Sequence, residues 1–258
     1  MAGAQRLLRA GALAIAVSGP GCSDPLALGS DLVWTADTEP GSLEQWTEND
    51  SGGAVLPSAD SVVEVSTERA HHGKRSVKLV NPAAWDNMDQ GPQLFHAAGS
   101  LSDAYYSAWF YLPLDYRIEP SMTLIRLGSR DVGGTELFSG EELQLRSVAS
   151  GGYVLQVFSN NAGFLLEPLA DPAPHVDAGR WFQLEARYQP QSAGRLRVWL
   201  DGALAYDLPN RPGAHGAELV LSVCNVAELT TPAPAVVYVD DAAVSLSRVS
   251  PSGQLAED

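Results

Sequence analysis

The sequence predicts an all-β protein, and three observations carry that expectation. The stretch from Arg180 to Leu208 holds three consecutive runs in which apolar and polar residues alternate with period two, as strands with one face in a core do. Phe182, Leu184, Ala186 and Tyr188 share a face in the first run, Leu196, Val198 and Leu200 in the second, and Leu204, Tyr206 and Leu208 in the third. Asp201-Gly202 joins the last two runs, and both residue types tolerate the positive φ that a two-residue hairpin demands. Further runs of the same kind recur along the chain, with Gly151-Gly152 and Asn160-Asn161 as turns between them.

The chain has 258 residues, and no Pro/Ser-rich linker divides its middle, so a single folded domain over residues 31–249 is expected. A formal net charge of -15, from 31 acidic against 16 basic residues, repels phosphate backbones and anionic head groups, which argues against nucleic acid as a partner. A hydrophobic content of 45% is that of a globular chain.

Residues 1–21 read as a signal peptide. Arg6 and Arg9 form a basic start, Ala10 to Val17 an apolar stretch too short to span a membrane, and small residues lead to Cys22. Ser18-Gly19-Pro20-Gly21-Cys22 resembles a bacterial lipobox, which implies lipidation of Cys22 and attachment to the cell envelope, in the outer membrane or periplasm, by that lipid anchor alone. Ordinary secretion with Cys22 in a mature tail is the alternative. Residues 22–30 are then the lipidated cysteine and a spacer, and residues 250–258 a disordered tail. Cys224, the other cysteine, lies in the run Glu218 to Val226 and reads as a buried free thiol; a disulfide with Cys22 is the lesser reading.

Between these ends, Asp31 to Ala36 opens the domain, and Val62 to Ser66 and Ser76 to Val80 read as a strand pair. The connection between the pair contains His71-His72. Adjacent residues in an extended loop point in opposite directions, so these are read as surface histidines rather than a metal pair. Asn81 to Ser100 reads as a long loop carrying Trp85, Gln90, Gln93 and His96, and Trp85 is either a binding residue or a cover for one end of the fold. Ala104 to Leu112 is aromatic on both faces, which suits a central strand. Ser121 to Leu127, Glu142 to Val148, Tyr153 to Phe158 and Phe164 to Glu167 continue the series, and Val236 to Ser247 closes it.

Four segments carry a resemblance. Asp37-Thr38-Glu39-Pro40-Gly41-Ser42-Leu43-Glu44-Gln45-Trp46, the Ala70 to Leu79 connection with Gly73 and Ser76, the Trp181 to Tyr206 hairpin region, and Tyr238-Val239-Asp240-Asp241-Ala242 resemble, in order, motifs of the concanavalin A-like superfamily. That superfamily includes carbohydrate-binding modules and heparin-lyase-like polysaccharide lyases. The resemblance implies a jelly roll, two antiparallel sheets packed face to face. It also implies a structural Ca2+ held by Glu39, the carbonyl of Gly73 or Lys74, and Asp241, because calcium takes carboxylate and carbonyl oxygens.

For catalysis the absences inform. The glucanase strand E-x-D-x-x-E, which sets two carboxylates on one face, has no counterpart. The strands comparable to those of alginate-type lyases, Gln144-Leu145-Arg146 and Leu219 to Val223, lack the tyrosine base. A glycan-binding face asks less, namely aromatic rings to stack on sugars with amides and charges for the hydroxyls. Trp109, Gln144, Arg146, Arg187, Arg197, Trp199 and Trp85 are the candidates, with the ligand groove expected on the polar face of one sheet. The leading expectation is a polysaccharide-binding lipoprotein without catalysis. The rivals are a lyase cleaving a uronic-acid polymer by β-elimination, with Arg126 among its carboxylate-binding candidates and Tyr106 or His96 as base, and a structural envelope protein.

Overall fold

A computed structural model describes residues 31–48, 51–82, 91–132, 138–149, 151–160, 163–191, 193–211, 218–249 and 255–256. Cys22 and Trp85, and with them the signal and lipid-anchor expectations, lie outside the described residues.

Two antiparallel eight-stranded sheets form the molecule. The rear sheet runs β14 (Ala203–Arg211), β13 (Gly194–Leu200), β12 (Trp181–Gln189), β6 (Ala104–Tyr111), β16 (Ala235–Ser245), β4 (Ser76–Asn81) and β3 (Val62–Ser66), with β1 (Leu32–Ala36) also on β16. The front sheet runs β10 (Leu165–Leu166), β9 (Tyr153–Ser159), β8 (Phe138–Ser147), β7 (Arg117–Arg130), β15 (Glu218–Thr231), β5 (Gln93–Ala97) and β2 (Gly52–Val55), with β11 (His175–Val176) also on β9. A one-turn helix, α1 (Glu44–Thr47), follows β1. Consecutive hairpins build one end of each sheet, while chain-distant strands fill the middle, which is the Greek-key connectivity of a jelly roll.

The alternating runs do what their period requires. Phe182, Leu184, Ala186 and Tyr188 are almost wholly buried between the sheets, as are Leu196 and Val198, and they meet Leu143, Leu145, Leu155 and Leu221 of the front sheet in one core. Asp201 and Gly202 take φ of 49° and 79°, the left-handed pair that a tight hairpin needs. β6 lies at the centre of its sheet with both faces covered. Cys224 is a buried free thiol, and burial pushes it up to about 12.

Two expectations change. The expected loop from Asn81 to Ser100 contains β5, whose Leu94 and His96 pair with Val223 and Leu221 of β15 and with Ala54 and Gly52 of β2; neither partner is joined to it by a local turn. The presumed tail contains β18 (Leu255–Ala256), which pairs with β17 (Arg248–Val249).

Candidate functional site

The outer face of the front sheet carries a groove of about 430 Å³. β7, β8 and β9 run side by side beneath it, and register decides its chemistry. Arg126 pairs with Glu142, and Glu142 with Phe158; Thr123 pairs with Gln144, and Gln144 with Gln156; Ser121 pairs with Arg146. Each row sets polar groups side by side on one face, because their neighbours Leu143 and Leu145 are spent on the core.

At its floor Glu142 is 4% exposed. Its Oε2 accepts from Thr123 Oγ1 at 2.7 Å and Gln144 Nε2 at 3.0 Å; its Oε1 accepts from Asn160 Nδ2 at 3.0 Å and faces Arg126 Nε at 3.1 Å. This carboxylate accepts three hydrogen bonds and faces one guanidinium, so four side chains gather around it at the groove. Arg146 is exposed at the groove edge. On the opposite rim Phe164 is 75% exposed and packs on Phe158 at 6.4 Å between ring centroids. Its φ of 62° is a conformation that costs energy for a bulky residue and recurs where a side chain must be aimed.

The structure thus brings Gln144 and Arg146 together but separates them from the rest of the expected groove. Trp109, Arg187, Arg197 and Trp199 all belong to the rear sheet, on strands β6, β12 and β13. Alternation assigns a residue to an outer face but never says which of two sheets owns it. Those four residues are also engaged. Trp199 is 5% exposed beneath the Arg248 guanidinium, 4.5 Å from the ring centroid. Arg187 grips Asp103 with Nε and Nη2 at 2.9 and 2.8 Å, which holds the Asp103 carboxyl below its ordinary value. Arg197 lies 3.5 Å from Asp207, itself paired with Arg195. Trp109 stacks on His71 at 3.7 Å. Even Glu185, on the polar side of β12, is 1% exposed, because the Val249 N–H and Arg248 Nε cover it.

The expected calcium donors lie where β16, inside the rear sheet, passes from β4 to β1. β16 pairs with β4 up to Val239 and with β1 from Ala242 onward, so the first and closing strands are neighbours as expected. A bulge between Asp240 and Ala243 opens at this handover, and Asp241 takes φ of 46° there. The extra residue lets both aspartates reach the β3–β4 turn. Asp240 Oδ2 accepts the N–H of His71 at 2.8 Å and of His72 at 3.3 Å, while Glu39 Oε1 accepts those of Lys74 and Arg75, both at 2.8 Å. Gly73, at φ 64°, is required between these clamps, since a Cβ there would overlap the Glu39 carboxyl. Burial, reinforced by the charge of Asp241, pushes the Asp240 carboxyl up to about 8.

Asp241 meets imidazoles instead of a ring of oxygens. Its Oδ2 lies 2.8 Å from His71 Nδ1 and 2.7 Å from His72 Nδ1. Calcium takes six to eight oxygens; here Glu39 Oε1 accepts from two backbone N–H groups and Asp241 Oδ2 faces two nitrogens, while Asp241 Oδ1 is buried without a hydrogen-bond partner. The histidines also depart from the sequence expectation. They sit in a turn, not an extended loop, and both rings converge on one carboxylate oxygen.

In chemical terms the groove offers cations, amides and one carboxylate that accepts three hydrogen bonds. Glycoside hydrolysis needs two carboxyl groups across the bond, and Glu142 is the one carboxylate among the described lining residues. Proton abstraction in a lyase needs a base such as tyrosine or histidine, and neither residue type is among them. Tyr106 and His96, the bases considered from sequence, are 1% and 7% exposed. Tyr106 packs in the core, and His96 stacks on Trp34 at 4.1 Å. Glu142, Gln156, Asn160 and Phe164 were not among the binding candidates read from the sequence. The alternation of Gln144 and Arg146 with Leu143 and Leu145 in β8 was visible, but the cross-strand register that gathers these groups was not.

No family model matches the sequence, and no curated protein matches it. Solved structures do. An endo-β-1,4-glucuronan lyase from the fungus Trichoderma reesei superposes with a TM-score of 0.63 and 15% identity, over 86% of this chain and 99% of that one. A cellulose-induced protein gives 0.58 and 18%, over 84% and 98%. An alginate lyase in complex with an alginate trisaccharide gives 0.58 and 9%, over 84% and 99%. At these identities the likeness is one of fold. The chain has the two-sheet antiparallel jelly-roll fold of these polysaccharide lyases.

Proposed function

We propose that the protein binds a polysaccharide in the front-sheet groove without cleaving it. One observation carries the reading: Arg126, Gln144, Asn160 and Thr123 are locked around Glu142 between an exposed arginine and an exposed phenylalanine. A preorganised row of donors loses little side-chain entropy on meeting sugar hydroxyls or carboxylates, and an aromatic lip can stack on a sugar ring. The similar folds include an alginate lyase with its trisaccharide and a glucuronan lyase, which supports a polysaccharide partner.

The second reading, cleavage of a uronate polymer by β-elimination, is favoured by those same two neighbours and by the two arginines at the groove. A positive group that pairs the uronate carboxylate makes the C5 proton removable, but among the described lining residues no tyrosine or histidine stands ready to take it. We also propose that lipid on Cys22 anchors the domain to the bacterial envelope. Intact mass of the mature protein tests this, and an unmodified Cys22 would leave secretion in its place.

Calorimetric titration of the full chain against glucuronan, alginate, cellulose and xylan tests the main reading, with each mixture followed for unsaturated-uronate absorbance. The expected result is saturable binding to at least one polymer, lost in Arg146→Ala, with no rise in absorbance. A rise in absorbance replaces binding by lyase activity, and binding unaffected by Arg146→Ala or Phe164→Ala removes the groove from the account.

A further inference from the structure

We propose that the front-sheet groove recognises its polysaccharide by accepting hydrogen bonds from the ligand's own hydroxyl groups, so that it takes chains with free hydroxyls and rejects their O-acylated forms. This specificity presupposes the polysaccharide binding proposed above, and three amide side chains set its sense.

Gln144, Gln156 and Asn160 all line the groove. Each turns its amide nitrogen toward a group that can only accept. Gln144 Nε2 lies 3.0 Å from Glu142 Oε2, Asn160 Nδ2 3.0 Å from Glu142 Oε1, and Gln156 Nε2 2.7 Å from the Glu167 carbonyl oxygen. A carboxylate or carbonyl oxygen demands the nitrogen end of the amide, because an oxygen in that place would repel it. The three amide carbonyl oxygens are left on the other side. None accepts a hydrogen bond from a described residue, and none is sealed from solvent. Gln144 has nothing else to give: its second N–H goes to Thr123 Oγ1 at 3.3 Å, whose own proton goes to Glu142 Oε2 at 2.7 Å. The walls add no side-chain donor, since Phe158, Phe164 and Leu166 stand on one side of the floor and Val226 and Ala227 on the other.

Oxygens held in this way ask for hydroxyl protons. A free sugar hydroxyl supplies one, whereas an acetyl or sulfate ester at the same position brings only acceptors and sets oxygen against oxygen. A site built to bond a hydroxyl rejects the analogue lacking it far more strongly than an apolar pocket tells one methylene from another. Arg146, which has no acidic partner among the described residues, remains the donor at the groove edge. Where the polymer is O-acylated at these positions, an esterase must act on it before this groove takes it.

The test titrates the full chain by calorimetry against glucuronan, alginate and xylan, each in fully de-esterified form and after O-acetylation with acetic anhydride. The expected result is that at least one de-esterified polymer binds, that this binding is lost in Arg146→Ala, and that the acetylated form binds at least about tenfold more weakly. Bulk alone also weakens binding, so the same pair is titrated against Gln144→Met and Gln156→Met, which keep side-chain length and remove the carbonyl oxygen. In each variant, shown to be folded by its melting curve, affinity for the de-esterified polymer should fall and the ratio between the two forms should shrink. Equal affinity of the wild type for both forms, tighter binding of the acetylated form, or a ratio unchanged in both variants overturns the specificity and leaves polysaccharide binding standing. No binding of any polymer in either form removes groove binding itself, and this specificity with it.

Discussion

The two outer faces of this sandwich are built by the same rule and finished differently. Strands of both sheets alternate core and polar residues, yet on the rear face the polar groups are consumed within the molecule. Arg187 takes Asp103, Arg195 takes Asp207, and Arg248 with Val249 covers Glu185 and Trp199. On the front face the Arg126–Glu142 pair lies at the groove floor, and the ring of donors around it opens into the groove. A polar face becomes a binding face only when its charges do not satisfy each other at the surface.

The largest expected effect breaks the comparison most directly. Trp199→Ala removes a ring that is 5% exposed and should lower folding stability by about 3–5 kcal/mol, with saccharide affinity unchanged. Chemical denaturation beside a titration measures both, and lost affinity with intact stability would make the rear face the binding face.

Glu142→Gln acts on the front floor. It should cost about 1–3 kcal/mol of stability, because a charged acceptor of several hydrogen bonds is lost. Affinity for an acidic polymer should rise, since the anionic floor is neutralised and Arg126 loses the counter-charge of Glu142. Weaker binding to alginate or glucuronan would mean that the carboxylate itself contacts the sugar.

Phe164→Ala touches the lip alone. A loss of about 1–2 kcal/mol in binding is expected, with no change in melting temperature because the ring is 75% exposed. An unchanged dissociation constant would remove stacking from the mechanism.

The smallest effect is in acid. Asp103 is held below its ordinary value of 3.8, chiefly by the Arg187 hydrogen bond against the opposing effect of burial. A depressed carboxylate adds stability above the unfolded value and loses it as pH falls through the folded one. Wild type should therefore lose stability more steeply than Asp103→Asn below about pH 4, by a small margin because the pair is part-exposed and screened. Parallel melting curves for the two across that range would count against the pairing.

Local pattern explains why some of this was legible in advance. The face assignments of β12 and β13, the Asp201-Gly202 hairpin and the buried Cys224 follow from side-chain period and turn chemistry, which act over a few residues. Gln144 and Arg146 were correctly paired on one face for the same reason. β5 was missed because both its partners, β2 and β15, are distant in sequence, and the convergence of His71 and His72 was missed because a turn was read as extended chain.

The amino-acid sequence by itself determined an all-β chain and the alternation that makes each strand half core, and its resemblance implied a jelly roll. Only the tertiary structure decided which polar residues share a sheet. It split Trp109, Arg187, Arg197 and Trp199 from Gln144 and Arg146, brought Arg126 opposite Glu142, and used a one-residue bulge to turn Asp241 toward two histidines. The physical reason is that hydrophobic period is a property of neighbours along the chain, whereas a site is made by register between strands that meet only after folding.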